Sequence, residues 1–394
     1  MDQYIRMGNV RAISSRAMEG LAVEPPLAPV APMGRLAAID VVRGLALFGV
    51  MAINLIFEFR VSIFERFLPA IEAASPLDRA LESFLIRAID SKAFALFSLL
   101  FGLGLAIQFD RLADNRRTVL LLRRLTVLLA IGLVHLLLVW NGDILTEYAL
   151  VGFVAMPFLF APRWFLATSG LLFLGLYLTL PPLMSLPDPA WMANHISAAR
   201  HVYVSGSFPE ILVFRIRELP AIPPLHVAVF PRTLALFLLG AFIWRTGVLE
   251  RAAENRGLLF GVAVGGLLLT IVAASTSLAP VTLALSYGAF IIGLVSTQFA
   301  SRLLAWAAPL GRMVFTNYLA QSLIFGWVFY GYGLGLFGQV GTSAALSFGV
   351  AVYAAQAILS LWWLKWHTFG PVEWVWRSLM YGVFQPMRFS KAPI

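Results

Sequence analysis

Ten apolar stretches, separated by loops rich in arginine, constrain this chain more than any single motif. They run at roughly Leu36 to Phe57, Phe84 to Phe109, Val119 to Trp140, Tyr148 to Phe160, Trp164 to Met184, Thr233 to Val248, Leu258 to Ser277, Val281 to Phe299, Met313 to Tyr332 and Ala344 to Trp366. Most are long enough to cross a bilayer as a helix. Inside lipid every backbone polar group must be satisfied within the protein, which leaves helices or a closed barrel. The composition agrees: 60% of the 394 residues are hydrophobic and only 12% are charged, too few charges to cover a soluble surface. The mean hydropathy is +0.84. We therefore expect an all-α polytopic membrane protein of about ten transmembrane helices with an outer amphipathic segment.

Loop charge supplies an orientation. Basic residues fall in alternate loops, at Arg111 to Arg124, Arg163, Arg245 to Arg256, Arg302 with Arg312, and Arg377 to Lys391. All share one side if both termini are cytoplasmic, as expected for a multi-pass protein of the bacterial inner membrane. The net charge of +9 thus serves topology, and with no recognition module beside it nucleic acid is not an expected partner. Cysteine is absent, which removes disulfides, zinc thiolates and a thiol-acyl intermediate. Residues 1–34 read as a disordered cytoplasmic tail. Residues 35–184 form a first helix group, 185–230 an outer interfacial segment, 231–368 a second group, and 369–394 a cytoplasmic interfacial end.

The costliest polar groups lie in the first span. Asp40 and Arg43 are three residues apart and can pair. On an ideal helix Arg43 and Asn54 lie about 20° apart around the axis and about 16 Å apart along it, so they share a face. Such a stripe should face protein or a water-filled cavity rather than lipid.

The expected topology brings further polar groups to the depth of Asn54: Lys92, His135, Asn141 and Asp143. Together they supply a base, an acid, a cation and amide donors, enough for acyl transfer. Each also has a purely structural reading. Asn141-Gly142-Asp143 is turn-forming and Asp143 can cap the next helix. Lys92 can snorkel, His135 can bond a carbonyl in the core, and Asn54 can bond a neighbouring helix. Asn317 and Gln321, one turn apart in the ninth span, and Gln356 in the tenth either line the same cavity or bond neighbouring helices. His195, His201 and His226 lack zinc-ligand spacing and nearby carboxylates at helical offsets, so no metal is expected. Gly102 with Gly104, and Gly261 with Gly265, read as close helix packing. Gly370 to Arg377 reads as an interfacial helix carrying a Glu373 to Arg377 pair.

Several of these motifs resemble the YeiB family (DUF418) of bacterial integral membrane proteins: Ile39-Asp40-Val41-Val42-Arg43-Gly44 with Asn54, Lys92 to Gly102, Asn141 to Leu145, Gly311 to Tyr318 and Gly370 to Arg377. That family is defined by a domain of unknown function. The first helix is also similar to that of the heparan glucosaminide N-acetyltransferases and, more loosely, of membrane acyltransferases that modify surface sugars. Those relatives place an asparagine or histidine eleven residues after an arginine, the spacing of Arg43 and Asn54. The resemblance implies an acyl-coenzyme A donor from the cytoplasm and an envelope sugar or lipid acceptor on the far side. One departure is plain: the glucosaminide enzymes carry a catalytic histidine just after that asparagine, whereas the first histidine here is His135.

The expected function is a transmembrane acyltransferase. Arg43, braced by Asp40, guides the anionic donor, with Lys92, Asn141, Asn317 and Gln321 as further binding groups. Asn54 donates to the developing oxyanion, and His135, with Asp143 behind it, takes the acceptor's proton. The alternative is a transporter or exporter of a small polar or amphipathic compound, with Asp40, His135 and Asp143 as protonation sites. A third class is a membrane scaffold or signalling partner.

Overall fold

The computed structural model describes residues 37–68, 75–179 and 187–388, and these are helical almost throughout. The tail expected over residues 1–34 lies outside the described residues. In chain order the helices are α1 (Ala37–Asn54), α2 (Pro76–Ala88), α3 (Lys92–Arg111), α4 (Asp114–Val134), α5 (Leu145–Ala155), α6 (Arg163–Thr179), α7 (Pro189–Ser205) and α8 (Phe208–Glu218). There follow α9 (Pro223–Arg245), α10 (Arg256–Val272), α11 (Ala279–Val295), α12 (Gln298–Leu304), α13 (Ala307–Arg312), α14 (Val314–Phe329), α15 (Thr342–Trp363) and α16 (Pro371–Tyr381). No β-strand occurs among the described residues, apart from an isolated bridge between His367 and Arg388.

Five helical segments are long and apolar enough to cross a membrane: Ala37–Phe59, Pro76–Arg111, Asp114–Val139, His226–Arg245 and Thr342–Trp363. Four shorter apolar helices and a pair bent by 111°, α11 with α12, occupy the other five expected spans. The fold is thus an all-α polytopic membrane protein.

Two spans end in a π turn, Leu55–Phe59 after α1 and His135–Val139 after α4. Each inserts an extra residue into the helical register, a feature concentrated at functional sites. Both π turns pack against α14.

Glycine governs how closely the long helices cross. A Cβ on Gly102 would land on the backbone of Phe237, and one on Gly240 on that of Leu99, so α3 and α9 meet backbone to backbone. Gly261 and Gly265 differ from expectation. Space around both is open, and it is Gly266 that faces α11, because that residue alone points along the contact between the two helices.

The segment before the sixth span is more ordered than its proline content suggests. α7 and α8 bury Met192, Ile196, Ala199, Tyr203, Ile211, Arg215 and Glu218. They form a packed cover rather than a surface layer. α9 starts at Pro223, ten residues before the expected Thr233. Proline is well suited to a helix's first turn, where its missing N–H costs nothing, and the helix also accommodates Pro231 inside it.

Candidate active site

His135 opens the π turn after α4 and is 1% exposed. Its Nδ1 lies 2.8 Å from Asp143 Oδ1. An ionised carboxylate only accepts, so the ring proton sits on Nδ1 and the lone pair on Nε2. Nε2 is buried and has no hydrogen-bond partner among the described residues. Asp143 Oδ2 meanwhile accepts from the Thr146 N–H at 2.7 Å, at the start of α5. The capping role and the histidine-orienting role therefore fall to the two oxygens of one carboxylate. The Tyr318 ring of α14 lies 5.2 Å from the imidazole and that of Trp140 6.2 Å.

Asn54, the last residue of α1, is 4% exposed, and its Oδ1 is buried without a partner. It faces protein. One turn further on stands Glu58, in the first π turn, whose side chain reaches the Asn141-Gly142 turn. A Cβ on Gly142 would fall 2.5 Å from Glu58 Oε2. Glycine at this position lets the loop lie against the carboxylate.

Beyond these groups is a pocket of about 310 Å³ counted to its open mouth, lined by Glu58, Trp140, Asn141, Tyr203, Glu218 and Tyr330 among others. Glu218, at the end of α8, is its most connected group. It accepts from Asn141 Nδ2, from the Tyr203 hydroxyl at 3.4 Å and from His195 Nε2 at 2.6 Å. Burial and the adjacent Glu218 push the Tyr203 hydroxyl well above its usual value, which keeps it a donor. His195 stacks between Trp191 and Phe214, at 4.7 and 5.0 Å between ring centres.

These contacts redraw the expected cavity. Asn141 lines the pocket, and the His135–Asp143 pair lies next to its Trp140 wall. Lys92 does not line it: its ammonium donates to the Ile86 carbonyl at 2.8 Å, satisfying the last turn of α2. Asn317 and Gln321 do not line it either. Asn317 Nδ2 donates to Ser360 Oγ at 3.1 Å, Gln321 Nε2 to Gln356 Oε1 at 2.8 Å, and Gln356 Nε2 to the Asn317 carbonyl at 3.0 Å. This ladder bonds α14 to α15, since buried amides on facing helices satisfy one another at least cost.

Sequence reading missed Glu58, Tyr203 and Glu218. It also judged the histidines of the 185–230 segment and His226 by helical offsets alone, whereas His195 pairs with Glu218 and His226 Nδ1 with Glu147 Oε2 at 2.8 Å, both from distant chain. A carboxylate inside an otherwise apolar span, as Glu58 is, was the signal available for one of them.

At the opposite end of α1, Arg43 Nη1 pairs with Asp40 Oδ1 at 3.2 Å. A Cβ on Gly104 would sit 3.2 Å from Arg43 Nη2 and 3.9 Å from Arg124 Nη2, so two guanidiniums converge over a bare stretch of α3. Arg124 is braced by Gln108 and by the Trp376 ring, 4.7 Å away. Guanidiniums in this arrangement suit phosphate oxygens. Glu373 does not form the expected helical pair with Arg377. It accepts from the Phe315 N–H at 2.8 Å and the Thr316 hydroxyl at 2.6 Å, capping α14. Among the described residues, no group of three or more His, Cys, Asp or Glu side chains has the form of a metal site.

A bundle of apolar helices with buried ionisable pairs at one end and clustered arginines at the other defines a polytopic integral membrane protein. Residues 232–383 match the family model described as "Protein of unknown function (DUF418)". The uncharacterized protein YxaH of Bacillus subtilis (strain 168) is 33% identical over 397 residues, covering 92% of this chain and 98% of that protein. The uncharacterized protein YeiB of Escherichia coli (strain K12) is 30% identical over 386 residues, covering 88% and 96%. An uncharacterized 39.9 kDa protein from the amylase 3' region of Bacillus acidopullulyticus is 28% identical over 385 residues, covering 92% and 99%. The chain belongs to the YeiB (DUF418) family.

Proposed function

We propose that this protein is a transmembrane acyltransferase of the bacterial inner membrane, with both termini cytoplasmic, moving an acyl group from cytoplasmic acyl-coenzyme A to an envelope sugar or lipid at the outer face. The observation that carries the reading is the His135–Asp143 pair with its unpartnered, buried Nε2. A histidine held in one tautomer by a carboxylate, with its other nitrogen free, is the arrangement of a general base.

In this reading the coenzyme's phosphates bind at Arg43 and Arg124 over Gly104. The acceptor's O–H or N–H donates its proton to His135 Nε2 as the heteroatom attacks the acyl carbonyl. Negative charge gathers on the carbonyl oxygen, and Asn54 supplies a hydrogen bond to it. The Asn54 amide needs only a half-turn to exchange its acceptor for its donor at that place. The C–S bond then breaks, and the imidazolium returns its proton to the leaving thiolate. Asp143 stabilises the imidazolium meanwhile.

The test is release of free coenzyme A from acetyl-coenzyme A by the purified protein, with acceptors screened from envelope extracts. Asn54→Ala and His135→Ala should abolish it, and unchanged turnover in either variant refutes the site. Substrate flux across proteoliposomes that contain no acyl donor would instead establish the transporter reading.

A further inference from the structure

The pocket beside Trp140 has a charge balance of its own. Glu218 is satisfied three times over, but Glu58 makes no hydrogen bond or ion pair with any described residue, and its half-buried carboxylate lines the pocket. The nearby cations are committed elsewhere. Arg66 is bonded to Asp90 Oδ2 at 2.6 Å. Arg215, 1% exposed, donates to the Val139 carbonyl at 2.6 Å and lies 4.9 Å over the Tyr330 ring. With the His195 ring donating to Glu218 as a neutral imidazole, two carboxylates face one guanidinium. The pocket is short of one positive charge, and a carboxylate half withdrawn from water is costly unless paired.

The walls specify what kind of cation fits. Trp140 is stacked on Phe59 at 4.4 Å, and Tyr203 on Tyr330 at 4.7 Å, so the rings are fixed in place. Aromatic faces attract cations, and Tyr330 already holds a guanidinium. A fixed aromatic wall disfavours a bare metal ion, which keeps its hydration shell, and favours an ammonium carried on carbon. The pocket's volume limits that carbon to a small group.

We propose that this pocket receives the ammonium group of a small organic amine, with Glu58 as its counter-ion and the rings of Trp140 and Tyr203 as its walls. Resting on the acyltransferase reading, this makes the acceptor an amine; the binding itself rests only on the pocket.

The experiment uses the full chain in phosphatidylglycerol nanodiscs, titrated calorimetrically with ethanolamine and with its neutral counterpart, ethylene glycol. Ethanolamine should saturate one site and ethylene glycol should not. Glu58→Gln, which keeps the side chain's shape, should weaken ethanolamine at least tenfold. No saturable ethanolamine binding, ethylene glycol binding within twofold of ethanolamine, or undiminished binding in Glu58→Gln overturns the proposal. The comparison of two ligands on the unsubstituted protein holds even if the variant misfolds. Adding phosphatidylethanolamine to the nanodiscs separates the sources. Blocked binding of free ethanolamine assigns the site to a lipid headgroup, and unaltered binding assigns it to a soluble amine; either outcome supports the ammonium chemistry. Ethanolamine binding without any acyl transfer would refute the acyltransferase reading and leave this site standing.

Discussion

His135 Nδ1 and Asp143 Oδ1 stand 2.8 Å apart with side chains 1% and 0% exposed, across a turn that joins two helices. A pair so enclosed fixes the imidazole's tautomer. Asp143→Asn replaces the acceptor with an amide that can present N–H to Nδ1, which moves the ring proton to Nε2. The Thr146 N–H can still find the amide oxygen. We expect turnover in the coenzyme A release assay to fall by about 10²–10⁴, with a melting temperature close to that of the unsubstituted protein.

Arg43 belongs to the other end of the same span and should affect donor binding rather than chemistry. Replacing a charged hydrogen bond to phosphate by a neutral one costs about 1.5–3 kcal/mol. Arg43→Gln should therefore raise KM for the acyl donor by about ten- to a hundredfold with little change in kcat. An equal fall in kcat would place Arg43 at the reacting atoms instead.

Glu218→Ala strips the acceptor from Asn141, Tyr203 and His195 at once. Buried donors left unsatisfied cost about 1–3 kcal/mol each, so thermal unfolding in detergent should shift down by several degrees. Glu218→Gln, which retains an acceptor oxygen, should lose less.

Glu373 couples folding to pH. Its burial raises the carboxyl above the usual value of 4.5, although the hydrogen bonds from Thr316 and Phe315 work in the opposite direction. The folded state then holds a proton that the unfolded state releases, so this group's contribution is full below pH 4.5 and is lost as pH rises through the raised value. Glu373→Gln should flatten that part of the stability profile, measured by urea unfolding at a series of pH values. A steeper slope in the variant would reverse the sign argued here.

What was legible from sequence was whatever depends on local periodicity. All ten apolar stretches correspond to helices, because twenty apolar residues in a row leave the backbone few alternatives. The Asp40–Arg43 pair and the His135–Asp143 pair were within reach because each is local. Lys92 was misplaced because a lysine's four-carbon stem lets the ammonium choose the nearest bare carbonyl, here Ile86, over a cavity at the same depth. Asn317 and Gln321 were ambiguous because helical spacing gives the face but not the neighbour. Glu218 was invisible: it reaches Asn141 across 77 residues through the docking of α7 and α8, which no pattern within either helix specifies.

The two π turns have a consequence for how this fold tolerates change in length. Glu58 and His135 each sit where one surplus residue shifts the helical phase. Deleting a single residue between Asn54 and Arg60, even a leucine replaceable by another leucine, would restore ordinary winding and swing everything after it by about 100°. Spacing in these two segments is therefore under tighter constraint than chemical identity, and a scan of single deletions should find its sharpest intolerance there.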